Sequence, residues 1–482
     1  MKWRRSLAPF IVVALLADSL VIVYIHLSIP TVILLLMSLY RICNLLRLIK
    51  ARIHKQYLRR VTIQSSIWII IIQNAWLMLW QIAIRINIST YRLWLVFLYA
   101  DLVGTLILLG TTLRQLRKTQ VPDSTGDALA DNDYPTLTVA IPARNETDEL
   151  EACLKSLVAS NYPKLEIVVI DDCSQDKRTP DIIRYFAQDG VRFIQGKPPE
   201  DNWLAKNLAY QRLLEESNGE LVLFCGVDVR FQSDSLRQLV LAMLHKQKSM
   251  ISIIPKNVIF NKLTRRDSIM LQPIRYAWEL ALPRKLFRRL PVLSTCWIIK
   301  RETLETAGNF GAVSRSIVPE SYFARASAIH DGYSFMQSNE SIGITSHKNF
   351  IEQRSTFIRT RYPQLHRRME LVLVVTLIQI ISVITPYALI ILAVFGRLSL
   401  QLTIVSILTI LTLTIMYFQI VRLTYRKWII RAVLLPPVFT ILDVALLNYS
   451  MFRYEFSSVI WKDRNICIPI MHNAAQLVLP PS

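Results

Sequence analysis

The chain carries apolar stretches of membrane-spanning length at both ends and a long polar block between them. The first stretches run from about Leu7 to Ile25, Pro30 to Leu46, Ile63 to Ile84 and Tyr91 to Leu113. Each is close to the about 20 residues that cross a bilayer as a helix. Apolar runs return at about Leu371–Phe395, Leu398–Val421 and Trp428–Tyr449. This layout predicts four transmembrane helices over 1–118, a soluble domain over 119–368, two to three transmembrane or re-entrant helices over 369–452, and a C-terminal tail over 453–482. Composition agrees: hydrophobic residues make up 52% and charged residues 19%, against about 25% charged in soluble domains.

The net charge of +21 needs a partner or a place. The basic residues cluster beside the apolar runs: Lys2, Arg4 and Arg5; Arg47, Lys50, Arg52, Lys55, Arg59 and Arg60; Arg114, Arg117 and Lys118. That pattern fits loops retained on the cytoplasmic side, and no single soluble face gathers charge for nucleic acid. The middle domain is therefore expected in the cytoplasm, in a multi-pass protein of the plasma (inner) membrane. The loop Arg85–Arg92, expected outside, carries two arginines against the rule. Cys43, Cys153, Cys173, Cys225, Cys296 and Cys467 show no metal-ligand spacing and are expected as free thiols.

In the middle block, short apolar strands alternate with helical patterns. Leu137–Pro142, Leu165–Ile170, Val191–Gln195 and Leu221–Cys225 read as strands. Leu150, Cys153, Leu154, Leu157 and Val158 follow helical spacing, and further helices are expected at Pro180–Phe186 and Lys206–Glu216. The alternation predicts an α/β doubly wound sheet, where ligands sit beyond the carboxyl ends of the strands. Those ends carry Arg144-Asn145-Glu146, Asp171-Asp172 and Asp228. One acidic residue after a strand often only caps the next helix. Three such ends suggest a nucleotide and a hard divalent cation.

PTLTVAIPARNE, EIVVIDDCSQD, NWLAKNLAYQ and GELVLFCGVDVRFQSDSL, in that order, resemble family 2 glycosyltransferases of the GT-A fold in their polytopic membrane form. The resemblance covers about Tyr134–Leu365. VIWKDR near the C-terminus is similar to the end of carotenoid- and hopanoid-associated members. It implies that Asn145, Glu146, Asp171 and Asp172 line the nucleotide pocket and that Lys206 meets the diphosphate. It implies that Asp228 is the last Asp of the Asp-x-Asp metal motif, binding Mg²⁺ or Mn²⁺. Gly226 stands where the first Asp belongs, and Ala205 replaces a Gly before the lysine. Cys296 and Trp297 match an acceptor-side segment, although a buried strand fits them equally. In IVPESYFAR, Glu320 aligns with the general base of the family; a surface Glu at a helix N-terminus is the plain alternative. Arg354, Arg359 and Arg361 fall where processive members carry Gln-x-x-Arg-Trp, whose Trp is missing here. These arginines are expected either at the diphosphate or, with Arg367 and Arg368, at lipid headgroups. The run Arg284–Arg289 reads as an interfacial helix.

The function this implies is an inverting transfer of a sugar from a nucleotide-sugar, expected to be UDP-linked, to a lipid or lipid-linked acceptor. A processive polysaccharide synthase and a catalytically degenerate scaffold are the alternatives. Three C-terminal crossings would put Trp461–Arg464 outside, and the resemblance puts it inside. Neither the sugar nor the oligomeric state follows from the sequence.

Overall fold

The computed structural model describes residues 29–53, 60–86, 89–121, 129–199, 203–258, 272–281, 290–396, 398–424 and 436–466. The expected first span and the Arg284–Arg289 run lie outside the described residues. The chain divides into two compact units, one comprising 1–107, 357–413 and 436–459, the other 108–356, 414–435 and 460–482.

The second unit is built on a sheet. Its strands are β1 (Leu137–Ala143), β2 (Leu165–Asp171), β3 (Val191–Gln195), β4 (Leu221–Cys225), β5 (Val229–Arg230), β6 (Met250–Ile254), β7 (Lys256–Asn257), β8 (Cys296–Lys300), β9 (Tyr333–Gln337), β10 (Thr345–Ser346), β11 (Ile460–Trp461) and β12 (Arg464–Asn465). Seven of them form one sheet in the order β3-β2-β1-β4-β8-β6-β9. β1 pairs in parallel with β2 and β4, and β8 lies antiparallel to both β4 and β6. The sheet is thus mixed, with the expected α/β winding on the β1–β4 side. Helices Asp148–Val158, Arg178–Tyr185 and Ala205–Glu215 connect those strands. Apolar side chains cover both sheet faces, as parallel strands require. One core gathers Leu137, Val139, Ile141, Leu154 and Val169; the other gathers Ala140, Val168, Tyr210, Phe224 and Trp297.

Register fixes where the site lies. Ala143 is level with Asp171 across β1 and β2, and Cys225 is level with Cys296 across β4 and β8. The polar residues after β1, β2 and β4 therefore emerge along one edge. β5, β7 and β10 make a small second sheet that folds the segment after β4 against Thr345 and Ser346.

The first unit is helical, with helices Ile29–Ile53, Arg60–Arg85, Thr90–Thr119, Leu400–Thr424 and Pro436–Phe456 contributing to it. Met369–Gln379 continues through the π-helical turn Ile380–Ile384 into Thr385–Val394. Among the described residues, three helices are long and apolar enough to cross a membrane: Tyr91–Thr119, Met369–Val394 and Leu400–Thr424. Pro436–Phe456 is not one of them; it carries Asp443, Arg453 and Glu455. Those charges have partners inside the unit. Arg361 pairs with Asp443, both nearly inaccessible, and Gln379 Nε2 donates to the other Asp443 oxygen at 2.5 Å. Glu455 receives Arg47 at 2.5 Å and Arg367 at 3.3 Å.

Candidate active site

The turn after β1 begins with Asn145 at φ 49°, a left-handed backbone that Asn tolerates better than most residues. Its Oδ1 accepts backbone N–H bonds from Gln175 at 2.8 Å and Asp176 at 3.3 Å. The side chain thereby ties the β1 and β2 turns together. Asp171 is similarly engaged, accepting from Ser174 N at 3.1 Å and Gln195 Nε2 at 3.4 Å. Gly196 fits closely beneath them: a Cβ there would stand 2.5 Å from the Asp171 carbonyl oxygen.

Asp172 points the other way, into a cationic cluster. Arg464 Nη1 donates to its Oδ2 at 2.6 Å and Arg464 Nη2 to its carbonyl at 3.1 Å. Arg144 Nη1 also donates to that carbonyl, at 2.7 Å. Burial pushes the Asp172 carboxyl up, and the two guanidinium groups pull against that shift. Glu146 meets Lys462 Nζ at 2.5 Å. Burial raises its carboxyl pKa too; Lys462 opposes this, and the nearby charges of Asp228 and Glu149 add to it.

Asp228 follows β4. Its Oδ2 accepts from Ser346 Oγ at 2.9 Å, and Lys348 Nζ lies 3.7 Å away. Its carbonyl accepts from His347 N at 2.8 Å. Asp228 also raises the carboxyl pKa of Glu352, behind burial as the first cause. Glu352 and Asn349 cap helix Phe350–Gln364 reciprocally, at 3.2 and 3.0 Å. A Cβ on Gly226 would stand 2.6 Å from Asp228 Oδ1. The glycine thus leaves the space this carboxylate occupies, and a second aspartate at 226 would force it to move. A hard cation here would have Asp228 as its protein carboxylate, which suits Mg²⁺, commonly held by one or two carboxylates plus substrate phosphates. No cluster of three His, Cys, Asp or Glu able to hold a metal without substrate is present among the described residues.

Lys206 stands in the first turn of helix Ala205–Glu215, its Nζ 5.0 Å from the Tyr210 ring centre. Its neighbour Asn207 is buried and donates to the carbonyls of Val313, Ser314 and Ser316 at 2.8, 3.0 and 2.8 Å. That fastening sets the loop leading to Glu320. Glu320 begins helix Glu320–Ala328 and is 1% exposed, and its Oε2 has no hydrogen-bond partner among the described residues. The plain alternative of a surface glutamate is thereby removed. Asp101 Oδ2 and Glu370 Oε2 share this feature among the described residues, so it is the place of Glu320 at the start of its helix that distinguishes it.

Three expectations are corrected. Cys296 and Trp297 are wholly buried in β8 and do not face an acceptor. Trp297 stacks on Phe224 with ring centres 4.5 Å apart, and burial pushes the Cys296 thiol up. Arg361 is not a diphosphate ligand, because Asp443 holds its guanidinium inside the helical unit. Arg301 caps helix Ala205–Glu215: it donates to the carbonyls of Leu214, Ser217 and Gly219. Arg354 is exposed on helix Phe350–Gln364. Arg359 offers its carbonyl to Tyr454 Oη at 2.7 Å.

Sequence reasoning assigned no role to Ser346, Lys348, Asn207 or the Lys462–Arg464 turn. The first two reach Asp228 only through the β5–β10 pairing, which two-residue strands do not announce. The turn lies 292 residues from Asp172 along the chain.

The glycosyl transferase family 2 model matches residues 138–307. A probable glycosyltransferase of Bacillus subtilis, YdaM, is 30% identical over 185 residues, covering 37% of this chain and 43% of that protein. The beta-monoglucosyldiacylglycerol synthase of Synechocystis is 26% identical over 165 residues, covering 34% of this chain and 33% of the synthase. The chain thus spans less than half the length of these relatives. Among solved structures, the Pyrobaculum calidifontis mannosyltransferase PcManGT, in complex with GDP-Man and Mn²⁺, is 18% identical. It has a TM-score of 0.45 and covers 75% of this chain and 97% of that one. Through residues 138–307, which carry most of the mixed α/β sheet, the chain is thus similar to glycosyl transferase family 2.

Proposed function

We propose that the protein transfers a sugar from a nucleotide-sugar, of UDP type, to a lipid or lipid-linked acceptor, with inversion at the anomeric carbon. The observation that carries this reading is the convergence of Asn145, Glu146, Asp172 and Asp228 along one sheet edge set by the β1–β2–β4 register. Asp172 and Glu146 offer acceptors to the donors of a base and a ribose. Lys206 adds a point charge for the diphosphate. A bound divalent cation would neutralise the departing diphosphate, with Asp228 as its protein ligand.

Glu320 takes the proton of the acceptor hydroxyl. The oxygen then bonds to the anomeric carbon as the bond to the donor phosphate breaks, and the nucleoside diphosphate departs with those electrons. A single displacement of this kind inverts the centre. The base must come within hydrogen-bond reach of the acceptor oxygen, and the unsatisfied Glu320 Oε2 is an acceptor with no competing partner among the described residues.

Three apolar helices of spanning length favour an acceptor held in a membrane, and the Synechocystis relative is, by its name, a synthase of a lipid. The tail supports a cytoplasmic reading. Residues 460–466 belong to the same unit as the sheet and touch it through Lys462 and Arg464. On that reading an even number of crossings separates Arg368 from Ile460, which Met369–Val394 and Leu400–Thr424 would supply.

The test is transfer from labelled UDP-sugars, supplied singly to membranes containing the protein and followed by solvent extraction. Label in the lipid phase supports the reading. Label in a long polymer would replace it with a processive synthase. No label, with no nucleotide binding by calorimetry, would leave a scaffold.

A further inference from the structure

We propose that the β11–β12 hairpin is a wall of the donor pocket, with Lys462 as a cation for the diphosphate and Arg464 as the residue positioning Asp172 at the nucleoside end. The inference rests on the donor site described above and extends it to the far end of the chain.

Three consecutive residues of one tight turn meet three pocket side chains. Lys462 Nζ is 2.5 Å from Glu146. Asp463 Oδ2 accepts from Asn145 Nδ2 at 2.9 Å. Arg464 reaches Asp172 Oδ2 at 2.6 Å. Arg144 secures the turn from below by donating from Nε to the Lys462 carbonyl at 2.8 Å. A chance contact of a chain end would not be expected to match the pocket residue by residue.

The turn is also costly to form. Lys462 and Asp463 both have positive φ, 48° and 60°. Two-residue hairpins with that backbone favour Asn, Asp and Gly, and Lys462 is none of these. Residues kept in such conformations cluster where function demands a fixed side chain. Here the turn directs Lys462 and Arg464 to the same side.

Charge gives the reason. The strand ends offer Glu146, Asp171, Asp172 and Asp228, which would repel a nucleoside diphosphate. Lys462 brings a compensating charge to Glu146. An ammonium has three donors, and Glu146 orients it. Arg464 opposes the upward push of burial on the Asp172 carboxyl and fixes it through Oδ2, leaving Oδ1 to accept from the base or ribose.

Calorimetry on the full chain in detergent, with UDP and with uridine as probes, tests this. Lys462→Gln should weaken UDP binding by roughly tenfold or more, as expected for loss of a charge-assisted contact, and leave uridine binding unchanged. Arg464→Gln should weaken both ligands equally. Lys462→Arg should restore most UDP affinity, and unchanged ligand-free melting temperatures show that the variants fold. Wild-type UDP affinity in both glutamine variants overturns the inference and leaves the glycosyltransferase reading standing. Tighter UDP binding in either variant overturns it as well, because the hairpin would then compete with the donor. A wild-type protein that binds neither UDP nor any other nucleoside diphosphate overturns both.

Discussion

Lys348 Nζ and the Ser346 hydroxyl converge on one oxygen of Asp228, at 3.7 and 2.9 Å. The carboxylate after β4 is therefore held in place before any substrate arrives, and its second oxygen faces the space left by Gly226. A cation held by a carboxylate fixed in this way would stabilise a departing diphosphate without reorganisation cost.

Asp228→Asn should lower transfer by about a hundredfold or more, the usual effect of removing one electrostatic stabiliser, while the melting temperature changes little. Chelator should reduce wild-type transfer, and Mg²⁺ or Mn²⁺ should restore it. Full transfer in chelator would assign the diphosphate charge to Lys348 and its neighbours alone, and Lys348→Gln would then abolish turnover.

Glu320→Gln keeps shape and removes the proton acceptor. Turnover should fall by about 10²–10⁴-fold, the range for loss of a general base, with UDP affinity unchanged. Because the side chain is buried with an unsatisfied oxygen, the variant should be at least as stable as wild type. A wild-type rate would exclude the base role.

Glu146 gives a pH prediction. Its pKa is raised from 4.5, first by burial, then by the charges of Asp228 and Glu149, with Lys462 opposing. A carboxyl with a raised folded-state pKa favours the fold below its unfolded pKa and loses that contribution as pH rises through the folded value. Wild-type melting temperature should therefore decline more than that of Glu146→Gln as pH rises upward from about 4.5. Parallel curves would show that Lys462 cancels the burial effect.

The α/β half of this protein was legible because its signals are local. Short apolar runs with polar residues soon after them located β1, β2 and β4 within a residue or so, and their register did the rest. The antiparallel β8 was not legible, since a buried strand and an acceptor-side segment look alike at Cys296 and Trp297. Nor was the environment of Asp228, which is assembled from residues 118 apart by way of Ser346. Long-range pairings of short strands leave no periodicity. The same holds for Arg361: an arginine in a basic run suggests phosphate or lipid, and its partner lies 82 residues later in helix Pro436–Phe456.

That last pair makes its own prediction. Arg361 and Asp443 are each about 1% exposed and bonded to one another, and Gln379 shares the carboxylate. Removing one partner leaves a buried charge uncompensated, a loss of about 3–5 kcal/mol in comparable buried pairs. Asp443→Ala and Arg361→Ala should each lower the melting temperature of the detergent-solubilised protein sharply. The double variant should be less damaged than the sum of the two, because no lone charge remains. UDP affinity of whatever fraction stays folded should be unchanged. If Arg361→Ala instead spared the melting temperature and weakened UDP binding, the arginine would return to the diphosphate and the pairing with Asp443 would be incidental.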